Sequence, residues 1–271
     1  MRRNAARRSL GPCLLYHVLM ALVRDESIVL GRLDYSETSQ ILVLFTREHG
    51  KVRAIAKGAK RSTKTRFAPA IDLLDIGTVV FGVRHERAEG LATLTDWKQT
   101  QALPGLRQKL DRLNAAQYAA EITVRLTEDW DPHSELFDSL IGTLKTLEES
   151  NEVLAEVVQF QLALLDQVGS LPRFDACVRC GSTSQLTHFS AFEGGLICRN
   201  CEAAQVEKWE IGPATIETLK RIIHAGISKL SGGSVSYSAA FAVLNYCISH
   251  MIGMEPRLAD VVLPNLLRRG I

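Results

Sequence analysis

The 271-residue sequence predicts an α+β protein, in which an N-terminal five-stranded barrel of the OB type is followed by an all-helical domain with an inserted zinc ribbon. Three observations predict this fold. Five short apolar runs, bounded by turn residues, lie within the first hundred residues. After Pro104 the apolar residues recur at three- and four-residue steps, as in amphipathic helices. Two Cys-x-x-Cys pairs, Cys177 with Cys180 and Cys198 with Cys201, interrupt this helical part at the spacing of a zinc site.

The first predicted strand covers residues 22–33 and leads into a polar turn. The segment Glu48-His49-Gly50 is predicted to form a tight hairpin turn, since glycine adopts positive φ without strain. Five short strands with a basic outer face are typical of a small closed OB-type barrel. The other four strands are predicted over residues 41–45, 51–57, 76–84 and 91–98.

The helical part begins with a periodic segment after Pro104, and a second helix is expected to start at Asp131-Pro132, an N-cap acid followed by proline. Further helices are predicted over residues 152–168, from Gly212-Pro213 onward, and over residues 239–252. The expected domains are an OB-type nucleic-acid-binding domain over residues 20–100, a helical domain of residues 101–172 and 209–266, and a zinc ribbon over residues 173–208.

Residues 1–19 contain four arginines, and these precede an apolar run over residues 13–23 that superficially resembles a signal peptide. The run contains His17 and leads directly into charged residues without a small-x-small cleavage site, which disfavours export. A disordered extension, or a start codon assigned upstream of Met20, is the preferred interpretation. No apolar run reaches the ~18 residues that a membrane span needs.

The four paired cysteines predict one structural Zn²⁺ per chain. Four thiolates fill a tetrahedral zinc shell and leave no open position for water or substrate. The cysteines are few and lie at metal spacing, which favours a reducing, cytoplasmic compartment. Cys13 and Cys247 lie in apolar stretches and are interpreted as buried thiols.

Charge is distributed unevenly along the chain. Residues 1–110 contain 19 Lys and Arg against 10 Asp and Glu, a net charge of +9, whereas residues 111–271 have a net charge of −7. Such asymmetry suggests a polyanionic partner for the first half. The candidate nucleic-acid-binding residues are Lys51, Arg53, Lys57, Lys60, Arg61, Lys64, Arg66 and Phe67. The alternative is a solvated run of charges without function.

Tyr35, Phe67 and Trp97 are candidates for stacking on unpaired bases, and Phe67 is the preferred one because it lies beside the basic residues. For each of them the alternative is a position in the barrel core.

One enzyme motif competes with this interpretation. His133 and Glu135, followed later by Cys177 and Cys180, imitate a zinc nucleobase deaminase, but Ala176 occupies the position where that motif requires proline. The second cysteine pair also makes His133 unnecessary as a ligand. The sequence contains no P-loop and no acidic cluster typical of a two-metal nuclease. We therefore predict a protein that is not an enzyme. A zinc-containing nucleic-acid-modifying enzyme is the alternative, and a zinc-ribbon transcription factor is disfavoured because the ribbon is not the basic part.

Several segments together resemble the RecO family of bacterial DNA repair and recombination mediators. The resemblance runs from about Met20 to Leu266 and is carried by Arg24-Asp25-Glu26, the polar turn at residues 34–39, residues 45–50, residues 56–61, Leu171-Pro172 and both cysteine pairs. It implies an N-terminal OB domain, a helical domain and an inserted zinc ribbon. It also implies binding to single- and double-stranded DNA, strand annealing, contact with the C-terminal tail of single-strand-binding protein, partnership with RecR in loading RecA, and a nucleoid location in the cytoplasm.

Overall fold

A computed structural model describes residues 20–60, 67, 71–84, 90–224 and 237–264. The extension predicted over residues 1–19 lies outside these described residues. Within them, no helix has the length and apolar character needed to cross a bilayer.

Five strands form the N-terminal sheet. They are β1 (Met20–Asp34), β2 (Gln40–Thr46), β3 (Gly50–Ala56), β4 (Ile76–Arg84) and β5 (Ala92–Gln101). The bounds agree with the predicted strands to within a few residues. The α+β class, with a five-stranded N-terminal sheet followed by helices, is therefore confirmed.

The sheet closes on itself in the strand order β1-β2-β3-β5-β4. Closure depends on the 15-residue β1, whose first half pairs with β4 and whose second half pairs with β2. The register of β1 against β2 shifts between Val29 and Gly31, as expected of a bulge that bends a strand. The pairing of β3 with β5 is parallel and short, whereas every other pairing in this sheet is antiparallel.

Alternation along β3 fills the barrel interior. Val52, Ala54 and Ala56 are fully buried there, while Arg53 and the following Lys57 are exposed on the outside. This is the two-residue period that the sequence shows. The barrel core also includes Val29, Leu42, Leu44, Phe81 and Trp97.

The helices follow the barrel after a short 3-10 helix at Pro104–Arg107. They are α1 (Leu110–Leu126), α2 (Ser134–Glu149), α3 (Val153–Gln167), α4 (Pro213–His224), α5 (Tyr237–Ile252) and the short α6 (Ala259–Val262). A second, three-stranded sheet of order β7-β6-β8 lies between α3 and α4 in the chain. Its strands are β6 (Leu186–Ser190), β7 (Gly195–Cys198) and β8 (Trp209–Glu210).

Helix α2 begins later than the Asp131-Pro132 motif predicts. The backbone N–H of Trp130 donates to the Lys51 carbonyl oxygen at 2.9 Å, so this segment pairs with the start of β3 before the helix begins at Ser134. The close approach requires Gly50, where φ is +66° and a Cβ atom would lie 1.9 Å from the Asp131 carbonyl oxygen.

One hydrophobic core joins the helices, the second sheet and one side of the barrel. The rings of Phe45 in β2 and Phe137 in α2 lie 6.1 Å apart across the barrel–helix boundary. Beside them, the Arg47 guanidinium donates to the Asp138 carboxylate, with Nη2 and Oδ2 2.6 Å apart. The barrel is therefore packed directly against the helices.

Candidate metal centre and nucleic-acid interface

The four predicted metal ligands converge. The Sγ atoms of Cys177, Cys180, Cys198 and Cys201 all lie within 4.8 Å of one another, and those of Cys180 and Cys198 are 3.6 Å apart. A tetrahedral ion with Zn–S bonds of about 2.3 Å holds its sulfurs about 3.8 Å apart. The donor set and its spacing therefore fit a four-coordinate thiophilic metal ion.

Backbone hydrogen bonds bring the two cysteine loops together. The N–H of Val178 donates to the Leu196 carbonyl oxygen at 2.9 Å, which joins the first loop to β7. Gly181 takes φ of +77° as the first loop closes, and its N–H donates to the Cys177 carbonyl oxygen at 2.8 Å. A Cβ atom at Gly195 would lie 2.6 Å from the Arg173 carbonyl oxygen. Gly195 thus permits the close approach of the loops, whereas Gly181 provides the positive φ of the first loop.

The environment of Cys177 favours its thiolate. Burial by itself raises the pKa of this thiol, but hydrogen bonds from the backbone N–H groups of Cys198, Cys180 and Arg179 outweigh burial and lower the pKa to about 6. A thiolate is the form that binds metal.

The second sheet is anchored on α5. Glu207 accepts hydrogen bonds from the Ser190 hydroxyl at 2.6 Å, the Phe192 N–H at 3.1 Å and the Tyr246 hydroxyl. Burial alone would raise the pKa of Glu207, but these hydrogen bonds together have the larger, opposite effect. The pKa of Glu207 therefore lies below its usual value. Trp209 packs edge-on against Tyr246 with ring centroids 5.0 Å apart. The sheet beside the four cysteines is therefore packed against the helices.

The deaminase-like residues are not part of this centre. His133 contacts the Asp131 carboxylate at 3.1 Å, and Glu135 accepts a hydrogen bond from the Gln167 amide at 2.9 Å. Among the described residues, the only group able to hold a metal ion consists of the four cysteines.

Lys51 does not reach the surface of the proposed nucleic-acid interface. Its side chain is buried, and its ammonium donates to the carbonyl oxygens of Val124, at 2.8 Å, and Thr127 at the end of α1. An Asp129 carboxylate oxygen lies 3.3 Å away. The expectation of a phosphate contact from Lys51 is corrected, because the outward side of β3 is covered here by the helical domain.

The other described candidate cations, Arg53, Lys57 and Lys60, are exposed, but they differ in whether an acidic side chain lies beside them. Arg53 lies 3.3 Å from Asp129, and Lys60 lies 2.7 Å from Asp34. The Lys60 hydrogen bond, together with that of Gln40, lowers the pKa of the Asp34 carboxyl. Lys57 has no acidic partner in the part of the chain that the structure describes. The candidates Arg61, Lys64 and Arg66 lie outside the described residues.

The aromatic candidates divide between core and surface. Phe67 is only 5% exposed and packs in the barrel core with Trp97, which is 2% exposed. The expectation that Phe67 stacks on bases is therefore corrected, since its ring faces the barrel interior. Tyr35 is 64% exposed in the β1–β2 turn. It is the one of the three that remains accessible.

The sequence predictions did not include the two acids, Asp129 and Asp34, that pair with the exposed cations Arg53 and Lys60. Asp34 is the last residue of β1, and Asp129 follows α1 far along the chain. Asp34 ends β1 and Lys60 follows β3, two strands that both pair with β2. The sequence predictions gave no strand order, so this ion pair has no sequence signal. The pairing of Asp129 with Arg53 depends on packing between distant segments and has none either.

Two family models match the chain. The one described as Recombination protein O N terminal matches residues 20–103. The one described as Recombination protein O C terminal matches residues 107–258. The two matches follow one another along most of the described chain.

Curated relatives carry the name DNA repair protein RecO. That of Bacillus pumilus (strain SAFR-032) is 32% identical over 211 residues, which cover 77% of this chain and 80% of the relative. That of Anaeromyxobacter dehalogenans (strain 2CP-C) is 31% identical over 239 residues, covering 86% and 93%. That of Bacillus subtilis (strain 168) is 33% identical over 217 residues, covering 79% and 82%.

Proposed function

Because the chain belongs to the RecO family of DNA repair proteins, we propose that it anneals complementary DNA strands and, with RecR, helps to load RecA on DNA coated by single-strand-binding protein. Membership gives the chain a role in DNA repair and recombination, and it is a mediator, not an enzyme. The strand-annealing and loading steps are the proposal.

The observation that carries the proposal is the position of Lys57. It follows β3 on the outside of the closed five-stranded sheet, whose strand order, with β3 pairing in parallel to β5, supports the OB type that we propose for it. OB folds bind oligonucleotides on the face of their second and third strands and through adjoining loops. An exposed lysine that has no acidic partner among the described residues is available there for a phosphate.

We propose that a smaller set of the predicted basic residues binds DNA. The described members are Lys57, Arg53 and Lys60, and the last two also pair with acids. Arg61, Lys64 and Arg66, which lie outside the described residues, complete the set. Phosphate contacts supply affinity without sequence preference. A merely solvated run of charges would give no salt-dependent binding.

The metal is proposed to be one structural Zn²⁺ per chain. Cys177, Cys180, Cys198 and Cys201 would hold it as a closed shell of thiolates, so the ion would stabilise the fold and activate no water. The three-stranded sheet that carries them would then be a zinc ribbon. A closed shell also argues against a zinc-containing nucleic-acid-modifying enzyme.

The partners follow from family membership. We propose contacts with RecR, with the tail of single-strand-binding protein and indirectly with RecA, and a location in the nucleoid. Binding to both single- and double-stranded DNA is proposed on the same basis.

Annealing is tested directly with two complementary oligonucleotides that carry a fluorescence donor and acceptor. Purified protein is expected to accelerate pairing without ATP and to leave both strands chemically intact. Cleavage or deamination that disappears in Glu135→Ala would contradict the proposal. So would annealing no faster than in buffer.

A further inference from the structure

The four cysteines of the candidate metal centre are not equally protected from solvent. Cys177 and Cys198 are only 1% and 2% exposed, and Cys201 is partly exposed, whereas Cys180 is exposed. All four Sγ atoms lie within 4.8 Å of one another. The Cys180 sulfur is therefore open to a small solute, and buried sulfurs lie within direct reach of it.

The buried Cys198 is a reaction partner for Cys180. Their Sγ atoms lie 3.6 Å apart, so a disulfide bond of about 2.05 Å requires an approach of about 1.5 Å. Cys198 ends β7, whereas Cys180 lies in a loop outside the strands and helices, and the loop can supply this movement. Cysteines that sense oxidants have the same arrangement, an exposed sulfur beside a second cysteine that can form a disulfide with it.

Metal ligation would give Cys180 its reactive form. Each sulfur that ligates Zn²⁺ must be a thiolate, and the thiolate is also the form that acts as a nucleophile. The fifth described cysteine, Cys247, differs in both respects. It is buried, and burial together with the nearby Glu207 carboxylate raises the pKa of its thiol to about 11. Among the described cysteines, exposure and thiolate character thus coincide at Cys180.

We propose that Cys180 is a site of oxidation by hydroperoxides, and that its oxidation leads to a disulfide with Cys198 and to release of the metal ion. The inference rests on the structural Zn²⁺ of the proposed function and goes beyond it, because it gives the centre a response to oxidants. The oxidant is a small hydroperoxide such as hydrogen peroxide, which reaches an exposed sulfur without a binding pocket.

Two displacement steps complete the reaction. The Cys180 thiolate attacks one oxygen of hydrogen peroxide, the O–O bond breaks and hydroxide leaves, so that Cys180 becomes a sulfenic acid. The Cys198 thiolate then attacks the Cys180 sulfur, the S–O bond breaks, and a second hydroxide leaves as the disulfide forms. The two sulfurs together lose two electrons and the peroxide gains them, while both hydroxides take protons from solvent to give water. The ion thereby loses two of its ligands.

The backbone would hold the two cysteine loops together after the ion has left. The N–H of Val178 donates to the Leu196 carbonyl oxygen at 2.9 Å whether or not a metal is bound to the sulfurs. A disulfide between Cys180 and Cys198 would also cross-link the same two segments that the ion joins. A disulfide within either Cys-x-x-Cys pair would leave them unjoined. We therefore expect a thiol reductant and zinc to reverse the change.

The test follows zinc and thiols together in the zinc-loaded full chain treated with hydrogen peroxide. A chromogenic chelator measures released zinc, dimedone traps the sulfenic acid, and alkylation with peptide mass spectrometry maps the disulfide. We expect release of about one zinc per chain, early dimedone labelling at Cys180, and then a disulfide between Cys180 and Cys198. Dithiothreitol with added zinc should restore both the metal content and the Tm.

Cys180→His is the sharpest variant, because histidine ligates zinc in Cys₃His sites but has no sulfur to oxidise. It is expected to bind zinc and to retain it at the peroxide concentration that empties wild type. The matched control is Cys201→His, which makes the same change at a partly exposed ligand and should release zinc as wild type does. Cys247→Ala should also respond as wild type. If neither histidine variant binds zinc, the wild-type disulfide map decides alone.

Three results would overturn the inference. The first is zinc that stays bound while peroxide oxidises other residues. The second is a disulfide within either Cys-x-x-Cys pair in place of the one between Cys180 and Cys198. The third is equal zinc release from Cys180→His and wild type. Failure of the proposed structural zinc is distinguishable, because the purified chain would then contain no zinc before any peroxide is added.

Discussion

The Lys60 ammonium lies 2.7 Å from a carboxylate oxygen of Asp34. This ion pair ties the segment after β3 to the end of β1 and places an acid beside the proposed DNA-binding surface. The charge of Lys60 is therefore shared between the protein and any phosphate that approaches it.

Breaking this pair from its two sides should change DNA affinity in opposite directions. Asp34→Asn removes the acid and frees Lys60, so binding to single-stranded DNA should tighten. Lys60→Ala removes the cation and leaves the Asp34 carboxylate unbalanced, so binding should weaken. Anisotropy titrations at one fixed salt concentration measure both changes. Equal affinities for the two variants would show that this pair lies away from the DNA.

Lys51 is expected to contribute to stability and not to DNA binding. Lys51→Met leaves the carbonyl oxygens of Val124 and Thr127 without their charged donor, which should cost about 2 kcal/mol of unfolding free energy. Urea unfolding gives the change, and Arg53→Met, at an exposed neighbour, is the control with little loss. A Lys51→Met protein of normal stability and weakened DNA binding would reverse this assignment.

The metal centre should stabilise the helical domain as a whole, because the sheet that carries the cysteines packs on α5. Cys198→Ser should abolish metal binding and lower Tm by about 5 °C or more, which corresponds to about 2 kcal/mol at 2–4 °C per kcal/mol. Elemental analysis should find about one zinc per chain in wild type. Cys247→Ala, at a buried cysteine outside the cluster, should keep the metal. A Cys198→Ser chain that folds normally and retains zinc would contradict the structural role.

Two glycines offer a test of the boundary between barrel and helices. Gly50→Ala should destabilise the protein by about 1–3 kcal/mol, because a residue with positive φ is strained and its Cβ would meet the Asp131 backbone. Gly142→Ala lies within α2 with no atom near its Cβ and should stabilise by roughly 0.5–1 kcal/mol. Thermal melts compare the two. Similar effects would mean that β3 does not approach Asp131 as described.

Local patterns were sufficient to predict the strands and the convergence of the four cysteines. Alternation through Val52 and Ala54 marks β3 without reference to the rest of the chain. The cysteine pairs likewise need only two loops that meet. These features depend on residues close in sequence, so their bounds agree with the structure.

Features that depend on packing between distant segments could not be predicted in the same way. Lys51 and Arg53 both alternate with the interior residues of β3, so the sequence places both on the outside of the barrel. Alternation does not reveal whether solvent or another part of the chain covers that outside. Phe67 lies beside a basic run, yet its ring packs into the barrel. The late start of α2 arises because Trp130 pairs with β3, a contact about 80 residues apart in sequence.

The salt dependence of single-strand binding tests the central claim most directly. Lys57→Gln should flatten the slope of log affinity against log salt by about 0.7, and replacement of Lys57, Lys60 and Arg61 together by alanine should flatten it by about 2, with similar loss on two unrelated oligonucleotides. Lys145→Gln, at an exposed lysine on α2, is the matched control and should leave the slope unchanged. A wild-type slope in the triple variant would contradict the assignment of DNA binding to this side of the barrel.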